Sequence, residues 1–225
     1  MNAFMPHRLW TLHTGNKYAH LLALLLLFFM ISPLFERANY TPPIISFVFL
    51  CILAFTMRAI ELHRATQRVC VVLLLLGFVL DLASYVVVSA GMQAVLGLSA
   101  TGLYVLVMLV TMATMVQHLF TTAQVTWDTI LGGISIYFLL GFFWALLFIT
   151  LHQLQPASFH VPPPGHAMYL VYFSFTTLTT VGYGDVVPTS GVAMMLANLE
   201  SIVGQLFLTV FIARLIGLHL AHHLR

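Results

Sequence analysis

Long apolar runs dominate this chain. Six recur, at about 17–35, 44–60, 69–90, 94–117, 129–151 and 192–218, each bounded by polar or charged residues. A bilayer core about 30 Å thick is crossed by about 20 mainly apolar helical residues, so an all-α membrane protein with six transmembrane helices is expected. Composition agrees: 61% of residues are hydrophobic and 6% charged, against about 25% charged in an average soluble domain. Arg8 and Lys17 precede the first run as in a signal peptide. Pro33, Leu34, Phe35, Glu36 and Arg37 offer no small residues for cleavage, however, so a retained helix is expected.

Basic residues set the expected orientation. With a cytoplasmic N-terminus, Arg8, Lys17, Arg58, Arg64, Arg68, Arg214 and Arg225 lie on or near the cytoplasmic side and Arg37 alone lies outside. Positive charge concentrates on the inner side of membrane proteins, so both termini are expected in the cytoplasm. No basic cluster is dense enough to suggest nucleic acid. Cys51 and Cys70 fall in or beside membrane helices and fix no redox compartment.

Between the fifth and sixth runs the chain changes character twice. A polar stretch from His152 leads into Val161-Pro162-Pro163-Pro164-Gly165, where proline cannot continue a helix. Then Ala167 to Thr179 forms an apolar, aromatic and hydroxyl-bearing run, too short to span and long enough to re-enter as a half-membrane helix. Thr179-Thr180-Val181-Gly182-Tyr183-Gly184-Asp185 follows directly. Non-helical backbone at membrane depth is tolerated only where it is buried in protein or lines a wet cavity, so this strand is expected to line a passage.

Thr180-Val181-Gly182-Tyr183-Gly184 followed by Asp185 closely resembles the selectivity filter of the potassium channel family. There, carbonyls replace the hydration shell of K+ as it passes. Holding successive carbonyls on one side needs intermittent positive backbone angles, which Gly182 and Gly184 adopt without a Cβ clash. The resemblance implies oxygen cages from the Thr180, Val181, Gly182 and Tyr183 carbonyls and the Thr180 hydroxyl. The same residues could also make a glycine-rich turn; the re-entrant run before them and the long apolar run after them favour the filter. One strand surrounds an ion from one side only, and the chain holds one such motif, so a homotetramer in membrane lipid is expected. K+ is then the permeant ion, with no cofactor.

The resemblance extends to neighbouring positions. Tyr172 and Phe173 stand where many potassium channels carry two tryptophans, and Phe173 cannot donate a hydrogen bond. Tyr172 is placed to reach Asp185, while Thr176 occupies a site behind the filter where some members carry an acid and Thr179 adjoins the strand. Gly204, in the last run, suits either a hinge or close helix packing. The family register puts Gln205, Leu208 and Ile212 at the cavity and Ala213 and Ile216 nearer the inner constriction. Glu200 either bonds to the pore helix behind the filter or lines the upper cavity, since a carboxylate in hydrocarbon is costly.

Six helices with a pore loop between the last two also resemble the voltage-gated cation channel superfamily. Residues 1–120 would form a four-helix unit like a voltage sensor and 121–225 the pore domain. The fourth run has no Lys or Arg to move through the field, so little voltage dependence is expected. Asp81 is expected mid-membrane in the third helix, in a polar contact with Tyr85, Thr101 or Tyr104 or in a functional role. The chain as given leaves no room for a cytosolic regulatory domain after Arg225. His152, His160 and His166, and His219, His222 and His223, could sense pH or bind a metal or could simply be interfacial polar groups. No motif points to catalysis. The alternatives are a less selective cation channel or a cation carrier, the latter usually built from paired broken helices. Short termini suit a bacterial inner membrane.

Overall fold

The computed structural model describes residues 17–36, 47, 50–57, 63–122, 125–162 and 167–223, without the side chains of 33–36 and 222–223. It is built from helices α1 (Lys17–Glu36), α2 (Arg64–Val86), α3 (Ala90–Thr121), α4 (Trp127–Leu154), α5 (Met168–Leu178) and α6 (Gly191–His223). Of the expected segment at 44–60, residues 47 and 50–57 are described and helical, and the rest lies outside the described residues. Four helices, α2, α3, α4 and α6, are long and apolar enough to cross a membrane. Lys17–Ser32 and α5 are shorter apolar helices.

α4 is the hub, packing against α1, α3, α5 and α6, while α2 and α3 pair along their lengths. Glycines on α4 let aromatic rings reach its backbone. A Cβ on Gly133 would fall 2.1 Å from the Phe211 ring, and one on Gly141 2.7 Å from the Phe175 ring. Eight residues apart, these glycines share roughly one face of the helix, so one surface of α4 receives both α5 and α6. Gly77 plays the same part in the α2–α3 pair, where its Cβ would stand 3.3 Å from Tyr104.

Local chemistry sets the start of α4. Thr126 caps it through a reciprocal pair with Thr129, and the Asp128 carboxylate accepts a hydrogen bond from the Tyr18 amide at 3.2 Å, tying in α1. Thr122 to Thr126 alone separates α3 from α4.

The expected polar loop after α4 contains more order than its composition suggests. A 3-10 turn (Pro156–Ser158) leads into β1 (Phe159–His160), which pairs antiparallel with β2 (Val187–Pro188). The Ser158 carbonyl also accepts the Thr189 amide at 2.8 Å. This clasp joins the chain before α5 to the chain after the Thr180–Gly184 strand, so the intervening segment leaves and returns at one point.

The ring contact at Gly133 yields a stability prediction. Gly133→Ala is expected to destabilise the detergent-solubilised protein by about 1–3 kcal/mol through overpacking, read as a lower thermal transition. Phe211→Leu in the same chain should recover most of the loss; no recovery would show that the ring is not the obstacle.

Candidate functional site

The end of α5 determines the geometry of the site. Thr179 closes the helix, and Thr180 then takes a left-handed φ of +62°. The Val181 amide donates to the Thr176 carbonyl at 2.9 Å, and the Thr180 amide to the Thr177 carbonyl at 3.0 Å. This is a Schellman termination, whose left-handed position is usually glycine. A β-branched residue there is strained. The Gly182 amide then shares the Thr176 carbonyl at 3.2 Å.

Left-handed backbone recurs at Gly182 (φ +55°) and Gly184 (φ +80°), while Val181 and Tyr183 keep negative φ. An ordinary strand points successive carbonyls to opposite sides; alternation of hand turns them toward the same side. The amides of Thr180, Val181 and Gly182 are all committed to carbonyls at the end of α5, and the Val186 amide donates to Asp185 Oδ1 at 3.1 Å. Thr179 to Asp185 are exposed in the single chain.

The surrounding side chains divide into a front and a back. In front, Tyr172 donates to Asp185 Oδ1 at 3.0 Å, and its ring stacks on Tyr183 at 5.9 Å and 11°. Phe173 turns the other way, into a buried cluster with Phe148 and Phe159. Thr176 contributes its carbonyl to the turn, while its hydroxyl donates back to Phe173. Thr179 donates to the Phe175 carbonyl at 2.6 Å.

At the back, Glu200 is fully buried. Ser174 Oγ lies 2.5 Å from Glu200 Oε1 and 2.7 Å from the Gly141 carbonyl. A hydroxyl has one hydrogen to donate, and the carbonyl has none. Closing both links therefore takes a hydrogen from Glu200, which joins α4, α5 and α6 at one point. Glu200 thus bonds to Ser174 of α5. Tyr137 adds a second tie, donating to the Leu178 carbonyl at 2.9 Å.

Gly204 lies against Leu178, where a Cβ would stand 2.6 Å from Cδ1 and 3.1 Å from the carbonyl oxygen. It sits inside an uninterrupted helix, so this close approach is the visible use of the glycine. Gln205, Ile212, Ala213 and Ile216 are exposed in the single chain, and Leu208 is half-buried. Asp81 lies about 7.5 Å, at 1.5 Å per residue, from the end of α2 at Val86, nearer the helix end than the expected mid-membrane depth. The side chains of His166, His222 and His223 lie outside the described residues. Among the described residues, no group of three or more His, Cys, Asp or Glu is placed to hold a metal ion.

Sequence reading missed four participants: Ser174, Tyr137, Gly141 and Arg214. Arg214, on α6, donates to the carbonyls of Leu119 (2.5 Å), Phe120 (2.7 Å) and Thr122 (2.7 Å), with its guanidinium 5.0 Å from the Phe120 ring centre. Those carbonyls end α3 and have no partner within their own helix. Arg214 therefore caps one helix from another.

Residues 104–218, just over half of the chain, match the family described as ion channel, and the chain belongs to that family. It is an all-helical membrane protein whose ion-channel region spans α4, α5 and α6 and most of α3. Membership assigns it to ion transport across a membrane. Neither the curated proteins nor the solved structures compared with the chain gave a match.

Two substitutions read the ties. Glu200→Gln keeps a hydrogen for Ser174 and should leave the thermal transition nearly unchanged, whereas Glu200→Ala should lose about 1–3 kcal/mol. An equal loss in both would remove the hydrogen donated by Glu200. Arg214→Lys preserves charge without the planar fork and should lose about 1–2 kcal/mol, measured the same way.

Proposed function

We propose that four copies of this chain assemble around a common axis into a potassium-selective channel, with Thr180 to Gly184 of each copy forming the filter. One observation carries the reading: the alternating left-handed backbone at Thr180, Gly182 and Gly184, suspended from the end of a short helix with the amides of Thr180, Val181 and Gly182 already committed. Such a strand has carbonyl oxygens to offer a dehydrated cation and lacks only the other sides of the ring. Exposure supports the assembly. Tyr183 is 72% exposed, and large apolar residues along α6 such as Met195, Leu206 and Ile216 are exposed in the single chain. Lipid and neighbouring copies would cover these surfaces.

In this reading the chain crosses the membrane six times with both termini in the cytoplasm, in the plasma membrane of a bacterium. Residues 1–120 form a four-helix unit and 121–225 the pore domain. K+ passes down its gradient without a cofactor. Tyr172, Phe173, Thr176, Thr179, Asp185 and Glu200 support the filter, Gly204 allows α6 to bend and Ala213 lies near the gate. A voltage sensor needs charge to move, at about 2.3 kcal/mol per elementary charge per 100 mV. α3 carries no Lys or Arg, so conductance should depend little on voltage.

The test is flux from liposomes holding the purified protein, with K+ and Na+ gradients compared and barium as blocker. K+ flux blocked by barium, with Na+ flux far smaller, is the expected outcome; equal fluxes would replace the reading with a less selective cation channel. Gly182→Ala introduces a Cβ with no neighbour within 4 Å, so its effect is on backbone alone. Left-handed backbone costs an L-residue about 1–2 kcal/mol, in each of four copies, and K+ flux should fall to background while assembly persists on size exclusion.

A further inference from the structure

The four carbonyls that end a helix have no partner within it, and in α5 each is nevertheless taken. Phe175 receives the Thr179 amide and hydroxyl, Thr176 the amides of Val181 and Gly182, and Thr177 the amide of Thr180. None of these donors reaches the Leu178 carbonyl. It is met from another helix, by the Tyr137 hydroxyl of α4 at 2.9 Å.

A trans peptide group is planar and directs its carbonyl opposite to its amide hydrogen. Holding the amides of Thr180, Val181 and Gly182 on the end of α5 therefore aims the carbonyls of Thr179, Thr180 and Val181 away from it. The peptide before them is held at both poles: the Thr179 amide donates to Phe175 inside α5, and the Leu178 carbonyl accepts from α4. This plane leads into the left-handed turn at Thr180 (φ +62°), so its tilt sets where the strand begins. The carbonyl has little room to turn elsewhere. Leu178 is fully buried, and a Cβ on Gly204 would fall 3.1 Å from its oxygen, so the α6 backbone lies close on another side. Tyr137 is itself steered by Phe207 of α6, on whose ring it stacks at 6.3 Å and 21°.

Resting on the potassium-filter reading above, we infer that Tyr137 is a positioning residue for ion discrimination. Through the Leu178 carbonyl it fixes the foot of the Thr180–Gly184 strand, so that the Thr180 oxygens of the four copies keep a spacing for K+ and do not close on the smaller Na+. Oxygens that stay apart replace the hydration shell of K+ and fail to replace that of Na+. Without the hydroxyl the foot can shift and the ring can contract.

Tyr137→Phe removes only that hydroxyl. In liposomes the ratio of K+ to Na+ flux is expected to fall by about tenfold, the factor that loss of about one hydrogen bond represents, through a rise in Na+ flux. Replacing Tyr137 by 4-aminophenylalanine returns a donor to the same place and should restore most of the ratio. A merely structural tie would lower the thermal transition and both fluxes together at an unchanged ratio, and that result, or failure of the amine to restore the ratio, would overturn the inference. Should Tyr137→Phe not assemble, Phe207→Leu carries the test: it takes away the ring that steers Tyr137 and keeps the hydroxyl, with a lowered ratio expected and an unchanged one counting against the role. The wild-type protein separates the two readings. Equal K+ and Na+ flux there removes the potassium reading, whereas a selective wild type beside an equally selective Tyr137→Phe removes the role of Tyr137 alone.

Discussion

Backbone that leaves helical geometry inside a membrane must satisfy its amides and carbonyls within the protein, because lipid offers neither donors nor acceptors. The α5 terminus resolves this asymmetrically. Three successive amides, from Thr180, Val181 and Gly182, turn back onto the carbonyls of Thr176 and Thr177. Three of the strand's donors are thereby consumed, while its carbonyls remain as acceptors to present. The helix termination and the oxygen-rich strand are one structure: the left-handed turn at Thr180 that closes the first also begins the alternation of the second.

A strained strand persists only if its surroundings over-determine it, and the packing supplies that support from several directions. Gly141 lets the Phe175 ring of α5 reach the α4 backbone, and Gly204 lets Leu178 of α5 reach that of α6. The polar ties then fall where the backbones come near: Tyr137 on Leu178, Ser174 between Gly141 and Glu200, and Tyr172 on Asp185. Buried polar groups in an apolar setting are favourable only when paired, so each tie specifies a position as well as stabilising it. The β1–β2 clasp fixes the far end. Together these hold the strand from behind and leave its exposed side open.

Some of this arrangement was visible in the sequence, for reasons that can be named. Run length identified α2, α3, α4 and α6 because membrane thickness sets a minimum that few other constraints impose. The two-glycine pattern marked Gly182 and Gly184 as left-handed because glycine alone adopts that region freely. Thr180 was invisible by the same rule: its residue type argues against the conformation that the Schellman turn imposes. Ser174 and Tyr137 were ordinary residues in apolar helices, and nothing local shows that Gly141 and Leu178 lie opposite them. Gly204 was ambiguous because a hinge and a close approach demand the same missing Cβ; the structure displays the close approach.

Arg214 shows how far the two halves of the chain depend on each other. A guanidinium within a candidate membrane span requires compensation, yet no carboxylate is its partner among the described contacts. It is met by the end of α3, where three carbonyls lack intrahelical partners and the helix dipole is negative. One charge and one helix end thus satisfy each other between α6 and α3. Only Thr122 to Thr126 joins α3 to α4, so α3 is held both by the chain and by this clamp. A displacement of α6 at Arg214 must either carry the end of α3 with it or break three hydrogen bonds. α3 is thereby linked to α6 mechanically, through a contact that needs no charge of its own on α3.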